Sequence, residues 1–394
     1  MLKFKTFLKE EEVKPAAGEH LKHLTHMEDM PINDGHRGFH NAASLLKKAH
    51  EHITSGHSDA RITTKYDGSP SVVFGHHPQT GKFFVATKSA FNKTPKINYT
   101  PEDIEKNHGH SPGLVNKLKE ALHHLHKVAP KHGVYQGDLM YGHGDAKEHK
   151  GSYHFTPNTI TYSAKKDSEE GKKIAKSKLG IVVHTKYHGP TIESMKAGFD
   201  PDLHNFKKHP HVNVIDHEVD FSKVNHNSKN EHDYHHHMAE AQKEFRNTPH
   251  ETFAVTTPHA EHLNTYINDT VRTGETPSVS GYSKHLKKKF QKKIDDVSTE
   301  KAKSKKQEEL NNHLDHVTKH KEHFESLFKM HHHLQQAKNA LVSSLSSHPK
   351  FEHSIDNKPT EPEGFVIHHP DHGMGKLVNR EGFAKANLLK VRNK

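Results

Sequence analysis

The chain switches between two kinds of hydrophobic spacing. Residues 61–75 read RITTKYDGSPSVVFG, where Ile62 to Tyr66 and Ser71 to Phe74 are β-rich runs separated by Asp67-Gly68, a favoured hairpin pair. GKFFVATKSAF (81–91) predicts a further strand behind the Pro- and Gly-containing loop GHHPQTG. Helical spacing governs DGHRGFHNAASLLKKAHEHI (34–53) and GLVNKLKEALHHLHKVA (113–129), in which Leu114, Leu118, Leu122 and Leu125 recur at steps of four, four and three. GVYQGDLMY (133–141) reads as a buried strand, and short strands follow at TITYSA, LGIVVHTKY and HVNVIDHEVDF.

From about residue 230 the pattern changes. KQEELNNHLDHVTKHKEHFESLFKMHHHLQQAKNALVSSL carries Leu310, Leu314, Val317, Phe324, Leu327, Leu334 and Leu341, an interrupted three-and-four stripe that predicts long helices, packed within the chain or paired with a second copy. Strand character returns in EGFVIHH (363–369) and GKLVNREGF (375–383). A β-rich first part, a helical middle and a β return predict one α+β domain with a long helical insertion. The expected divisions are an N-terminal helix or tail over 1–25, a first core part over 26–225, the insertion over 226–350, and a core return with a basic tail over 351–394.

Composition narrows this picture. Only 30% of the 394 residues are hydrophobic and none is Trp, so the core is small for the length. A net charge of +10 favours polyanionic partners such as nucleic acid or nucleotides. The absence of Cys excludes disulfides and thiolate metal sites, and no apolar run is long enough to cross a bilayer. The 46 histidines include YHHHM (234–238) and MHHHL (330–334). Scattered on Lys-rich faces and without an H-E-x-x-H, they read as a solvated, weakly metal-affine surface rather than a dedicated site.

K-x-D-G alone is a weak signal, and Lys65 and Asp67 could simply flank a turn. Four short motifs in order carry more. KYDGS, YQGDL, EGFVI and GKLV resemble motifs I, III, IV and V of the covalent nucleotidyltransferases, the superfamily of ATP-dependent DNA ligases, RNA ligases and mRNA-capping enzymes; K-x-D-G-S is closest to the phage RNA-ligase-like proteins. The resemblance implies an antiparallel-sheet, ATP-grasp-like domain, here without a C-terminal OB domain. It implies that Lys65 attacks the α-phosphate of ATP to give lysyl-AMP, which requires neighbouring cations and desolvation to lower the lysine's pKa. Lys376 and Lys88 would be those cations. Asp67 and Gly68 would shape the loop and approach the sugar. Asp138, where the family has glutamate, would bind ribose or metal. Glu363 would hold Mg²⁺ or Mn²⁺, and Tyr187 would be an aromatic platform for adenine.

Departures accompany the resemblance. Pro70 replaces an arginine of DNA ligases and capping enzymes, and Val378 replaces the second motif V lysine, for which Arg380 is the nearest substitute. The acidic alternation Asp216, Glu218, Asp220 is either a metal site or the wet face of a strand. The opening MLKFKTFLKEEEV resembles the head-targeting segments of proteins packaged in tailed-phage heads. The expectation is an ATP-dependent ligase-like enzyme acting on 5′-phosphate ends of RNA or DNA, in the host cytoplasm or virion head and without a membrane partner. The alternatives are a catalytically weakened, head-packaged nucleic-acid-binding protein on the same scaffold, and a His-rich metal-storing protein.

Overall fold

A computed structural model describes residues 24–198, 201–224, 227–347 and 349–380. The expected N-terminal helix, its head-targeting resemblance and the basic tail beyond 380 lie outside these residues. The protein is a mixed α+β molecule with several sheets.

In chain order the elements begin with α1 (Met30–Ser55), β1 (Arg61–Lys65), β2 (Ser71–His76), β3 (Phe83–Ala86), α2 (Pro101–His108), α3 (Pro112–Leu125) and β4 (Val134–Tyr141). Then come β5 (Lys147–His149), β6 (Ser152–Phe155), β7 (Thr161–Lys165), α4 (Glu169–Lys176), β8 (Leu179–His188), β9 (Lys196–Gly198) and β10 (Val212–Val214). The helical stretch holds α5 (Ser228–Asn247), α6 (Thr252–Thr256), α7 (Ala260–Thr273), α8 (Val279–Asp295), α9 (Glu300–Lys319) and α10 (Lys321–Leu345). Strands β11 (Glu352–Ile355), β12 (Lys358–Pro359), β13 (Gly364–His369) and β14 (Gly373–Leu377) complete the described chain.

The chain divides into two compact units, one made of Ser71–Gly137 and Val183–Lys208, the other of Leu24–Pro70, Asp138–Val182 and the chain from His209 onward. In the first unit β2 pairs antiparallel with β3, and β9 pairs with the end of β8. Its core gathers Val73, Phe84, Ala86, Val134, Tyr187 and Met195. The turn into α2 is fixed by a capping box: the Thr100 side chain accepts from the Asp103 amide, and the Asp103 carboxylate accepts from the Thr100 amide.

The second unit carries a three-stranded antiparallel sheet, β1-β13-β14, and a five-stranded one, β12-β11-β7-β6-β5. Behind the smaller sheet the helices form the largest core, in which Leu45, Leu46 and Ala49 of α1 meet Phe324, Leu327, Leu334 and Leu341 of α10 and Tyr234, Met238 and Ala241 of α5. This core changes the expected division. The helices from α5 to α10 lie in the same compact unit as α1 and β1, with their apolar faces buried on them. The stripe expected either to pack internally or to join a second chain is used internally, with Leu310, Val317, Phe324, Leu327, Leu334 and Leu341 all buried.

Candidate active site

The site begins with the alternation of one short strand. In β1, Ile62 turns into the helical core while Arg61, Thr63 and Lys65 take the other face. β13 pairs antiparallel with β1, setting Lys65 opposite Gly364 and Thr63 opposite Val366, and β14 sets Lys376 opposite Val366. Directly opposed residues share a face, so Lys65 and Lys376 emerge on the same side of the sheet. Ile62, Phe365, Ile367 and Leu377 fill the opposite side and are buried among the helices. Burial of that apolar face fixes the register, since a slip of one residue would turn the lysines into the core.

Gly364 is needed where it stands. Its φ of 140° lies in the glycine-favouring region, and a Cβ there would sit 2.5 Å from the Leu377 carbonyl oxygen. The tight crossing delivers the preceding side chain to Lys65: Lys65 Nζ donates directly to Glu363 Oε1, with the two side chains 29% and 12% exposed. The other carboxylate oxygen, Glu363 Oε2, is buried without a hydrogen-bond partner among the described residues. Burial pushes the Glu363 carboxyl up, against the pull of Lys65 and with a further push from Asp67. Burial pushes the Lys376 ammonium down; Lys65 adds to this and Glu363 opposes it.

Asp67 shapes the loop, but its carboxylate is occupied. Oδ1 accepts from Asn158 Nδ2 at 2.8 Å, and Oδ2 accepts from the amides of Thr159 at 2.8 Å and Ile160 at 3.3 Å. Its own amide donates to the Tyr162 hydroxyl at 2.7 Å. These bonds tie the loop after Lys65 to the β6–β7 turn. Gly68 serves close approach, because a Cβ there would lie 2.6 Å from Asp138 Cβ and 3.1 Å from Met140 Sδ. Asp138, on β4, therefore stands beside the Lys65 loop.

Lys88 and Tyr187 belong to the first unit. Lys88 is exposed and opens a short 3-10 turn, Lys88–Phe91, capped by Thr87. Tyr187 differs from the open platform expected for adenine: it is 2% exposed, packed on Phe91 at 4.6 Å, and its hydroxyl donates to Gln136 Oε1, whose Nε2 donates to Ser71 Oγ at 2.8 Å. An apolar core with one internal hydrogen-bond chain has captured the ring.

Two further expectations are settled by pairing. Arg380 does not reach toward Lys65: its Nη1 donates to both carboxylate oxygens of Asp29 at 3.0 Å, and its Nη2 donates to Asn268 Oδ1 at 2.6 Å. Asp216, Glu218 and Asp220 form no joint site, since they pair separately with Lys350, Arg61 and Lys223. Sequence reading also missed a buried ionic cluster. In the 3-10 turn Met27–Asp29, Glu28 accepts from Lys338 of α10 at 2.6 Å with both side chains fully buried, and Asp29 Oδ1 lies 3.0 Å from His331 Nε2. The cluster adjoins β14, where the Lys376 amide donates to the Thr25 carbonyl at 2.9 Å. The only sequence signal was an unexplained acidic pair, Glu28-Asp29, in the stretch HMEDM.

Fold and site together define an α+β protein in which a lysine, a buried carboxylate and a second lysine share one sheet face. The chain belongs to a family described as a family of unknown function (DUF6267), matched over residues 21–392. No curated protein and no solved structure matches it.

Proposed function

We propose that the protein is a covalent nucleotidyltransferase of the polynucleotide-ligase type, using ATP and a divalent cation. The observation that carries the reading is the Lys65–Glu363 contact, made across 298 residues of chain, with Lys376 on the same face. The residues singled out by KYDGS, EGFVI and GKLV are adjacent in space, and Asp138 of YQGDL lies against Gly68.

In the proposed reaction the Lys65 amine, having given up its ammonium proton, attacks the α-phosphorus of ATP. A P–N bond forms, the bond from Pα to the bridging oxygen breaks, and pyrophosphate leaves with the electron pair. Glu363 Oε1, already in contact with Nζ, is placed to accept the amine proton. Lys376 faces the charge on the transferring phosphate. The orphaned Glu363 Oε2 fits an oxygen-liganded Mg²⁺ or Mn²⁺, which would neutralise charge on the phosphates. AMP then passes to a 5′-phosphate end of RNA or DNA, whose backbone suits the chain's +10 charge.

A second reading keeps the scaffold as a nucleic-acid-binding protein without turnover. It is favoured by Val378 in place of a lysine and by the capture of Arg380 by Asp29, which leave Lys376 as the motif V cation. Incubation with α-labelled ATP and Mg²⁺ or Mn²⁺ separates the two. Acid-labile label on the wild type, absent from Lys65→Ala and reduced at least about 100-fold in Glu363→Gln, supports the enzyme. An unlabelled wild type that still retains nucleic acid supports the scaffold.

A further inference from the structure

We propose that His50, Glu231 and His235 form a binding site for a divalent transition-metal ion of the zinc class, joining α5 to α1. The proposal is independent of the nucleotidyltransferase reading. Glu231 and His235 are four residues apart on α5, one helical turn, and so project from the same face. That face meets His50 on α1. Glu231 Oε1 lies 3.7 Å from His50 Nε2 and 3.8 Å from His235 Nε2, and one donor atom from each residue can be chosen so that all three lie within 4.8 Å of one another.

These separations are close to what an ion requires. Zinc bonds of about 2.0–2.2 Å in tetrahedral geometry place donor atoms roughly 3.4 Å apart. The two carboxylate-to-imidazole distances need shorten by only a few tenths of an ångström. The arms that must move are free to do so, since the Glu231 and His235 side chains are 49% and 61% exposed.

His50 is the fixed arm. Its ring lies flat on Tyr234, with centroids 4.3 Å apart and planes 8° from parallel, and Tyr234 itself is buried in the helical core. Its Nε2 is buried and lacks a hydrogen-bond partner among the described residues, an arrangement that costs stability unless something else occupies the lone pair. Burial, reinforced by His235 and opposed by Glu231, pushes the His50 imidazole below its ordinary range, which favours the neutral form that ligates metal.

The donor set chooses the metal class. Two imidazoles and a carboxylate suit zinc and its neighbours, whereas magnesium and calcium take oxygen ligands. Three protein ligands leave a fourth position for water, beside a crevice lined by Thr54, Asn227, Asn230 and Ser344. His237 of the same run is placed differently: its Nδ1 lies 3.0 Å from Nδ1 of His333 on α10.

The test uses the full chain, purified without a polyhistidine tag and stripped with a chelator. It is titrated with Zn²⁺ against a chromophoric chelator, and with Co²⁺ while absorbance reports coordination. The expected result is one site well above the weak background of surface histidines. Glu231→Gln and His235→Ala should each weaken it at least about 10–100-fold, the loss produced even by outer-shell changes, with the far-UV circular dichroism unchanged. His236→Ala should leave it intact. Because His50→Ala also removes the packing on Tyr234, the two exposed α5 variants carry the test. A tight site that survives both, that is lost instead in His237→Ala, or that never rises above background overturns the proposal.

Discussion

Replacing Lys338 by Met strands a buried carboxylate, and the cost can be worked from the geometry. Glu28 and Lys338 are both fully buried and 2.6 Å apart, and the next cation, Arg380 Nη1, is 3.7 Å from Glu28 and already bonded to Asp29. Removing one member of such a pair typically destabilises by about 3–5 kcal/mol, because the remaining charge is desolvated without compensation. Replacing both, as Glu28→Gln with Lys338→Met, removes the charge and its penalty together. The double variant should therefore lie at least about 2 kcal/mol above the sum of the single losses. With no Trp in the chain, urea unfolding followed by circular dichroism at 222 nm is the suitable assay, and its signal is dominated by the helices that hold Lys338. A Lys338→Met variant within about 1 kcal/mol of wild type, with additive singles, would refute the view that this pair is desolvated and coupled.

Acid should unfold the second unit early. Burial holds His26 and His259 down to about 3 and His353 down to about 4, below the ordinary value of 6.5. The unfolded chain therefore takes up these protons first; stability is full above pH 6.5 and falls as pH drops toward 4, by up to about 1.4 kcal/mol per pH unit for each histidine. A urea midpoint unchanged between pH 7 and 5 would contradict this. Tyr187→Phe should cost about 1–3 kcal/mol in urea unfolding by leaving Gln136 Oε1 unsatisfied; a neutral effect would show that this bond does not stabilise the first unit. Gly68→Ala should cost about 1–3 kcal/mol through its clash with Asp138 and depress Lys65 labelling, whereas a neutral effect on both would show that the loop yields.

How far the sequence could be read is clearest strand by strand. Ile62 sits in RITTK, and Phe365, Ile367 and Leu377 in EGFVIHH and GKLV some 300 residues further on; these stretches read as strands, but with Val366 between Phe365 and Ile367 the buried face, and so the side taken by the lysines, emerged only from the pairing. The helical stripe from Leu310 to Leu341 was plain, because a period of three to four needs no knowledge of the partner. What packs on what was not legible. Tyr187 sits in a run that reads the same whether its ring is covered or open, and Phe91, which covers it, is distant in sequence. The pairing of Glu28 with Lys338 spans 310 residues, and neither residue type advertises burial. His50 and Glu231 lie in different helices whose face-to-face packing no local pattern encodes. Asp67-Gly68 makes no hairpin turn: β1 pairs with β13 and β2 with β3, neither residue has a positive φ, and the Asn158 side chain and the amides of Thr159 and Ile160 that occupy the Asp67 carboxylate arise from a separate hairpin.

The antiparallel seam between β1 and β13 sets a timetable for biosynthesis. A ribosome adding about 5–20 residues per second needs some 15–60 seconds to travel from Lys65 to Glu363, so the nascent chain carries the Lys65 amine for that interval with neither the facing carboxylate nor the adjoining strand yet made. The chemistry proposed for that amine has to wait until Glu363 has been made, and products terminated before it carry the lysine without its acidic counterpart.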